Sequence, residues 1–175
     1  GVAYLQALEA KSPEAVEEQL RQIEHQHVLA EREQRIRELI DNQNGVWKYF
    51  ENYVILGDSR AVGFSYFGFL DESRVLAESG ATILQVSEKL DELAELKPST
   101  VYLCYGLNDI GIGKWDQPSD YVEGFAKMIE SLRRTLPKAK IVVSSILPAR
   151  EPAFQTQERW RRIPEFSAAI EEYCK

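Results

Sequence analysis

Apolar positions change their period near residue 50. Between Ser12 and Ile40, Val16, Leu20, Ile23 and His27 recur at helical spacing, and Leu29, Ile36 and Ile40 continue with a shift of phase. The segment is rich in Glu, Gln, Arg, Ala and Leu and contains no glycine. Ser12-Pro13-Glu14-Ala15 is a start signal: a hydroxyl cap, proline in the first turn, then an acid near the positive end of the helix. Asn42-Gln43-Asn44-Gly45 is a stop signal. The pattern predicts one long amphipathic helix, or two with a bend. Residues 1–50 therefore read as an N-terminal helical arm, a packing arm or stalk, ahead of a domain over residues 51–175.

From residue 51 short apolar runs alternate with helical periodicity. Tyr53 to Leu56 is a strand, followed by a helix from about Ser59 to Leu70. Arg74 to Ala77 is a second strand, followed by a helix from Thr82 to Leu96. Thr100 to Tyr105 is a third strand, with a helix from Pro118 to Leu136 after it. Lys140 to Ile146 is a fourth strand, and Glu158 to Cys174 a last helix. Strands alternating with helices predict an α/β fold in which a parallel sheet is covered on both faces. The expected architecture is a flavodoxin-like three-layer α/β/α sandwich with strand order 2-1-3-4. The pattern stops on a helix, where such a fold normally passes to another strand, so a fifth strand after Lys175 is expected.

Charge narrows the list of partners. The chain has 28 acidic and 21 basic residues and a formal net charge of -7, with no basic stripe. That balance argues against nucleic acid and against an anionic membrane surface. Met128 is the only methionine and residue 1 is glycine. The expectation is a chain that begins inside a longer gene product, with membrane contact only through an anchor upstream of it. The two cysteines, Cys104 and Cys174, make neither a disulfide framework nor a zinc site.

In doubly wound sheets ligands bind at the carboxyl ends of the strands, where strand order reverses. Gly57-Asp58-Ser59-Arg60 follows the first strand, Ser79-Gly80-Ala81 the second, Gly106-Leu107-Asn108-Asp109 the third and Pro148-Ala149-Arg150 the fourth. With order 2-1-3-4 and strands ~4.8 Å apart, Ser59 lies between Gly80 and Asn108. Ser59 starts a helix, so its hydroxyl and its own N–H face the cleft with the helix dipole behind them. Gly80 can bring a bare backbone N–H close to a substrate oxygen. Asn108 can aim its side-chain NH₂ at the same point. Three donors beside a serine make an oxyanion hole.

The order GDS, lone Gly and GLND at successive strand ends resembles the first three sequence blocks of the SGNH/GDSL hydrolases. The stretches VILGDSRAVGF and YLCYGLND are similar to those of bacterial GDSL-type members, and the resemblance covers about residues 53–175. It implies a serine-dependent carboxyl-ester hydrolase, of esterase or deacetylase type, acting through an acyl-enzyme on a small-molecule or carbohydrate ester. It implies no metal and no cofactor. Ser59, Gly80 and Asn108 are then the catalytic set. Asp58, Gly106 and Asp109 are structural at the site, Asp109 by bracing the loop. Arg150 is a candidate to hold an anionic substrate group, with a surface salt bridge as the alternative. Trp115 is a candidate wall for an acyl or sugar site, with packing of its loop as the alternative. An extracellular or cell-envelope location in a bacterium is compatible with all of this.

The chain departs from the family at the fourth block, the DxxH pair that supplies the orienting acid and the base. Its only histidines, His25 and His27, lie in the charged N-terminal segment. Two alternatives therefore stand beside the hydrolase: an acyltransferase of the same fold, and a binding module that lacks the base. The expectation is that these 175 residues alone turn over esters poorly and that a continuation of the chain supplies the missing pair. A flavodoxin-like nucleotide binder is disfavoured because no glycine-rich phosphate loop follows the first strand.

Overall fold

The structure, a computed structural model, describes residues 12–41 and 50–175. The chain divides into two compact units, Gly1–Phe50 and Glu51–Lys175.

In the first unit, α1 (Pro13–Asp41) is a single uninterrupted helix of 29 residues. Ser12 caps it as expected, its hydroxyl accepting from Ala15 N at 3.3 Å. Its charges pair at i,i+4: Arg21 with Glu17 at 3.0 Å, His27 with Glu31 at 3.4 Å, Arg37 with Glu33 at 3.5 Å. Leu20, Ile23, Val28, Leu29 and Ile36 are exposed along it. The stop signal at residues 42–45 lies outside the described residues.

The second unit is built on four parallel strands: β1 (Tyr53–Gly57), β2 (Val75–Ala77), β3 (Thr100–Cys104) and β4 (Lys140–Val143). Their order is β2-β1-β3-β4, the order the sequence predicts. The strand ends are level: Gly57 pairs with Ala77 on one side and with Cys104 on the other. Right-handed crossovers then place the helix after β1 on one face and the later helices on the other. The helix after β1, α2 (Ser59–Tyr66), packs on β1 and β2. On the opposite face, α3 (Leu90–Leu96) and α7 (Ile163–Tyr173) both pack against α5 (Pro118–Thr135).

The core lies on that second face. Val54, Leu56, Val101 and Leu103 from the strands join Tyr121, Phe125, Met128 and Leu132 of α5 and Ile163, Phe166 and Ile170 of α7 in one buried cluster. Each such side chain contributes roughly 1.5–3 kcal/mol on burial. On the first face Tyr102 and Cys104 are only half-buried.

Several boundaries differ from the sequence reading. The first helix ends at Tyr66 rather than Leu70, because Gly68 enters the left-handed region (φ +70°). Phe64 O then accepts from both Phe69 N and Leu70 N, at 2.9 and 3.0 Å. The segment after Gly80 opens as a 3-10 helix, Ile83–Lys89, under a Thr82–Gln85 capping box, before α3 begins. The last helix starts as 3-10 (Glu158–Arg162) and becomes α-helical only from Ile163. Pro164 explains the junction, since proline is tolerated in a first turn and not in a helix interior. Two short helices, α4 (Leu107–Gly111) and α6 (Glu151–Phe154), are absent from the sequence reading. No helix among the described residues is long and apolar enough to cross a membrane.

Candidate active site

Ser59 is the first residue of α2, directly after the central strand β1. Asp58 makes that position. Its carboxylate caps the helix by accepting from Arg60 N at 3.0 Å, and its own N–H is held by Cys104 O at 3.2 Å. Asp58 is buried while Ser59 is exposed. The Ser59 hydroxyl and backbone N–H make no hydrogen bond within the described residues, so both are available at the helix start.

The loop after β2 is brought alongside by Glu78 N donating to Gly57 O at 3.1 Å. Gly80 adopts φ +80°, and beyond its chain neighbours no atom lies within 4 Å of where its Cβ would stand. The conformation favours glycine and the space before it is open. Its N–H has no acceptor among the described residues.

The loop after β3 carries Asn108 in α4. Gly106 turns the chain there with φ +123°, where a Cβ would stand 2.6 Å from the Ile146 side chain. Asn108 Nδ2 donates to Ala81 O at 3.0 Å, which uses one of its two N–H groups. Asp109 Oδ1 accepts from Ile83 N at 3.1 Å. Together these two bonds tie the β3 loop to the segment just after Gly80. The structure thus brings Asn108 and the Gly80 loop together across a sequence separation of 27 residues.

Asp109 is fully buried, and burial is the main cause that raises its pKa to about 6. Backbone N–H donors of Ile83, Asp109 and Gly106 oppose that rise. Its Oδ2 and the Trp115 indole N–H are both buried and neither completes a hydrogen bond, though the indole still favours the carboxylate electrostatically. Because the folded pKa lies above the unfolded value of ~3.9, the folded state binds this proton more tightly. Asp109 therefore lowers stability at neutral pH, by roughly 3 kcal/mol for a rise of about two pH units, and the loss is relieved as pH falls from about 6 to 4. Asp109→Asn keeps an acceptor for Ile83 N and removes the titration. Urea unfolding at several pH values is expected to show a shallower gain on acidification in Asp109→Asn than in the wild type; equal slopes would place the titration elsewhere.

Between the ends of β1, β3 and β4 lies a cavity of about 270 Å³, lined by Asp58, Arg60, Phe64, Cys104, Tyr105 and Leu147 among others. Burial raises the Cys104 thiol and the Tyr105 hydroxyl above their ordinary ranges. Trp115 does not line this cavity. Its ring packs on Gly124 and lies 5.9 Å from Tyr121, and it walls a separate groove of about 490 Å³ between the 3-10 segment and α5. Arg150 is the exposed residue before α6 and does not line the cavity either. It has no acidic partner within 4.0 Å among the described residues. Arg60 was not singled out from the sequence. Its place in the cavity depends on Leu147, 87 positions away, and no local signal announces that contact.

A flavodoxin-like parallel sheet, with Ser59, the Gly80 loop and Asn108 at three adjacent strand ends, defines the class. The chain belongs to the GDSL-like lipase/acylhydrolase family, whose pattern matches residues 55–175. Among solved structures it is similar to a Bacteroides fragilis protein described as an acylhydrolase. There the TM-score is 0.55 at 18% identity, over 69% of this chain and 61% of the other. It is also similar to a GDSL-like lipase from Bacteroides thetaiotaomicron, with a TM-score of 0.52 at 21% identity, over 69% and 62% of the two chains. The chain thus spans about three fifths of the length of these relatives. Among curated proteins, none matches the sequence.

Proposed function

We propose that residues 51–175 carry the nucleophile and the oxyanion donors of a serine-dependent hydrolase of small-molecule or carbohydrate esters. The observation that carries the reading is Ser59 at the helix start after the central strand, with unpaired Ser59 and Gly80 N–H groups and a half-used Asn108 amide at neighbouring strand ends.

In this mechanism Ser59 Oγ attacks the ester carbonyl and its proton passes to a base. The carbonyl oxygen becomes an oxyanion held by Ser59 N–H, Gly80 N–H and Asn108 Nδ2. Collapse expels the alcohol, which takes the proton from the base, and leaves an acyl-enzyme on Ser59. Water then attacks that ester through the same oxyanion, releasing the acid and restoring the hydroxyl. Transfer of the acyl group to another alcohol uses the same first half. The Asn108–Ala81 and Asp109–Ile83 bonds support the reading because they hold two donor loops in one register.

Asn108→Ala is expected to lower kcat by roughly 10²-fold, with little change in KM, as for loss of one oxyanion donor. Steady-state kinetics on a neutral nitrophenyl ester check this. An effect confined to KM would assign Asn108 to substrate positioning.

One observation favours a second reading, a binding module. Residues 51–175 contain no histidine, and His25 and His27 belong to α1 of the other unit. Labelling with a fluorophosphonate separates the two: modification at Ser59 supports the hydrolase, and a chain inert to the reagent with or without added imidazole supports the module.

A further inference from the structure

The cavity between the ends of β1, β3 and β4 is largely apolar, with Ala61, Phe64, Leu107 and Leu147 among its lining residues, yet Arg60 lies in its wall. Ser59, Gly80 and Asn108 do not line it, but their chain neighbours Asp58 and Leu107 do. Arg60 directly follows the proposed nucleophile and is half-buried. Its Nη1 donates to Leu147 O at 3.0 Å, which spans the side chain from the start of α2 to the loop after β4. That bond uses one donor of the guanidinium, and Nε and Nη2 have no acceptor among the described residues. No carboxylate lies within 4.0 Å of it among those residues.

Two other arginines of the same unit are committed. Arg159 donates to Ile110 O at 3.0 Å and Trp115 O at 2.8 Å, and Arg162 pairs with Glu165 at 2.6 Å. Those bonds hold loops in place and leave little of either fork open. Arg60 differs from these two in having an open fork, an apolar surround and the proposed nucleophile as its chain neighbour. The planar fork of a guanidinium matches a carboxylate or phosphate in two parallel hydrogen bonds. Asp58 also lines the cavity, but its Oδ1 is engaged by Arg60 N and its carboxylate lies beyond ion-pair distance of the guanidinium.

We propose that Arg60 is a specificity-determining residue that binds a carboxylate or phosphate carried by the ester, so that the preferred substrates are anionic esters. This rests on the hydrolase reading of Ser59. The anion sits in the cavity between β1, β3 and β4, while the scissile carbonyl points to the donors at β1, β2 and β3.

The test uses the 175-residue chain in imidazole buffer, with rates taken over those of Ser59→Ala in the same buffer. Three anionic esters are each paired with a neutral counterpart. 4-Nitrophenyl hydrogen succinate and its methyl ester place the charge on the acyl side. 4-Acetoxybenzoate and its methyl ester, and 4-acetoxyphenyl phosphate and its dimethyl ester, place it on the alcohol side. In Arg60→Gln, kcat/KM for at least one anionic ester is expected to fall about 10- to 100-fold, mainly through KM. The neutral partner of that pair should change by no more than about threefold. Arg60→Lys, which keeps the charge and loses the fork, should fall between, and added salt should weaken only the anionic ester. The pair that responds tells which side of the ester carries the anion.

A loss shared equally by both members of every pair, with a lowered unfolding temperature, makes Arg60 a strap to Leu147 and overturns the proposal. Unchanged rates on all six esters overturn it as well. If no ester is turned over and a fluorophosphonate does not label Ser59, the hydrolase reading itself has failed and this inference goes with it. Labelling of Ser59 together with discrimination lost in Arg60→Gln supports both.

Discussion

Ser59→Ala is expected to remove covalent labelling by a fluorophosphonate completely and to reduce ester turnover to that of the buffer. The hydroxyl is the only atom lost, and it is exposed, so the fold should be untouched; surface substitutions of this kind change stability by no more than about 0.5 kcal/mol. The Asp58 cap to Arg60 N, which builds the helix start, does not involve the Ser59 side chain. Chemistry and stability should therefore separate cleanly in this variant: an unchanged unfolding temperature beside a total loss of labelling. Intact-mass analysis after incubation with a slow ester adds a second readout, since the acyl adduct should appear on the wild type and be missing from the variant. Turnover or labelling that survives in Ser59→Ala would move the nucleophile to another residue.

The second large effect concerns the base. A serine hydroxyl is a weak nucleophile at neutral pH and needs a positioned proton acceptor, an aid usually worth 10²- to 10⁴-fold. Ser59 has no hydrogen-bond partner among the described residues, and its unit contains no histidine. Asp109 does not fill the role, because its carboxylate is fully buried and engaged by Ile83 N. The 175 residues by themselves are therefore expected to hydrolyse activated esters slowly, with rate over water coming from the oxyanion donors alone. Imidazole in the buffer should raise this rate roughly tenfold or more in the wild type and leave Ser59→Ala unaffected once the uncatalysed reaction is subtracted. A fast intrinsic rate with no response to imidazole would show that a base is already in place. His25→Ala and His27→Ala would then test the N-terminal helix as its source.

The order of elements was legible because it follows from patterns local in sequence, whereas the strand order 2-1-3-4 was expected from the flavodoxin-like arrangement of such elements. Tyr53 to Leu56 is a continuous apolar run, as a strand buried on both faces requires, and it became the fully buried β1. Ser12 and Pro13 announced the start of α1 for the same local reason. The positions of Ser59, Gly80 and Asn108 at strand ends followed from the alternation of strand and helix. Legibility failed where local propensity was overridden. Thr82 to Leu96 has a helical period throughout, yet Ile83–Lys89 is 3-10 and only Leu90–Leu96 is α-helical. The register of Glu158 to Cys174 gave no warning that Pro164 would reset the helix, though the proline itself was visible.

Chain pattern alone settled that a serine stands after the first strand, that a glycine and an asparagine stand after the next two, and that they belong to a parallel α/β domain. It did so because strand period, helix period and turn chemistry are short-range properties, each carried by a few consecutive residues. Which neighbours those residues meet was decided only by tertiary structure. The bond from Asn108 to Ala81, the buried carboxylate of Asp109 and the reach of Arg60 to Leu147 join positions 26 to 87 residues apart. Such contacts depend on crossover handedness and on how closely loops approach at level strand ends, and desolvation and hydrogen bonding there act on a geometry that no short window of sequence contains.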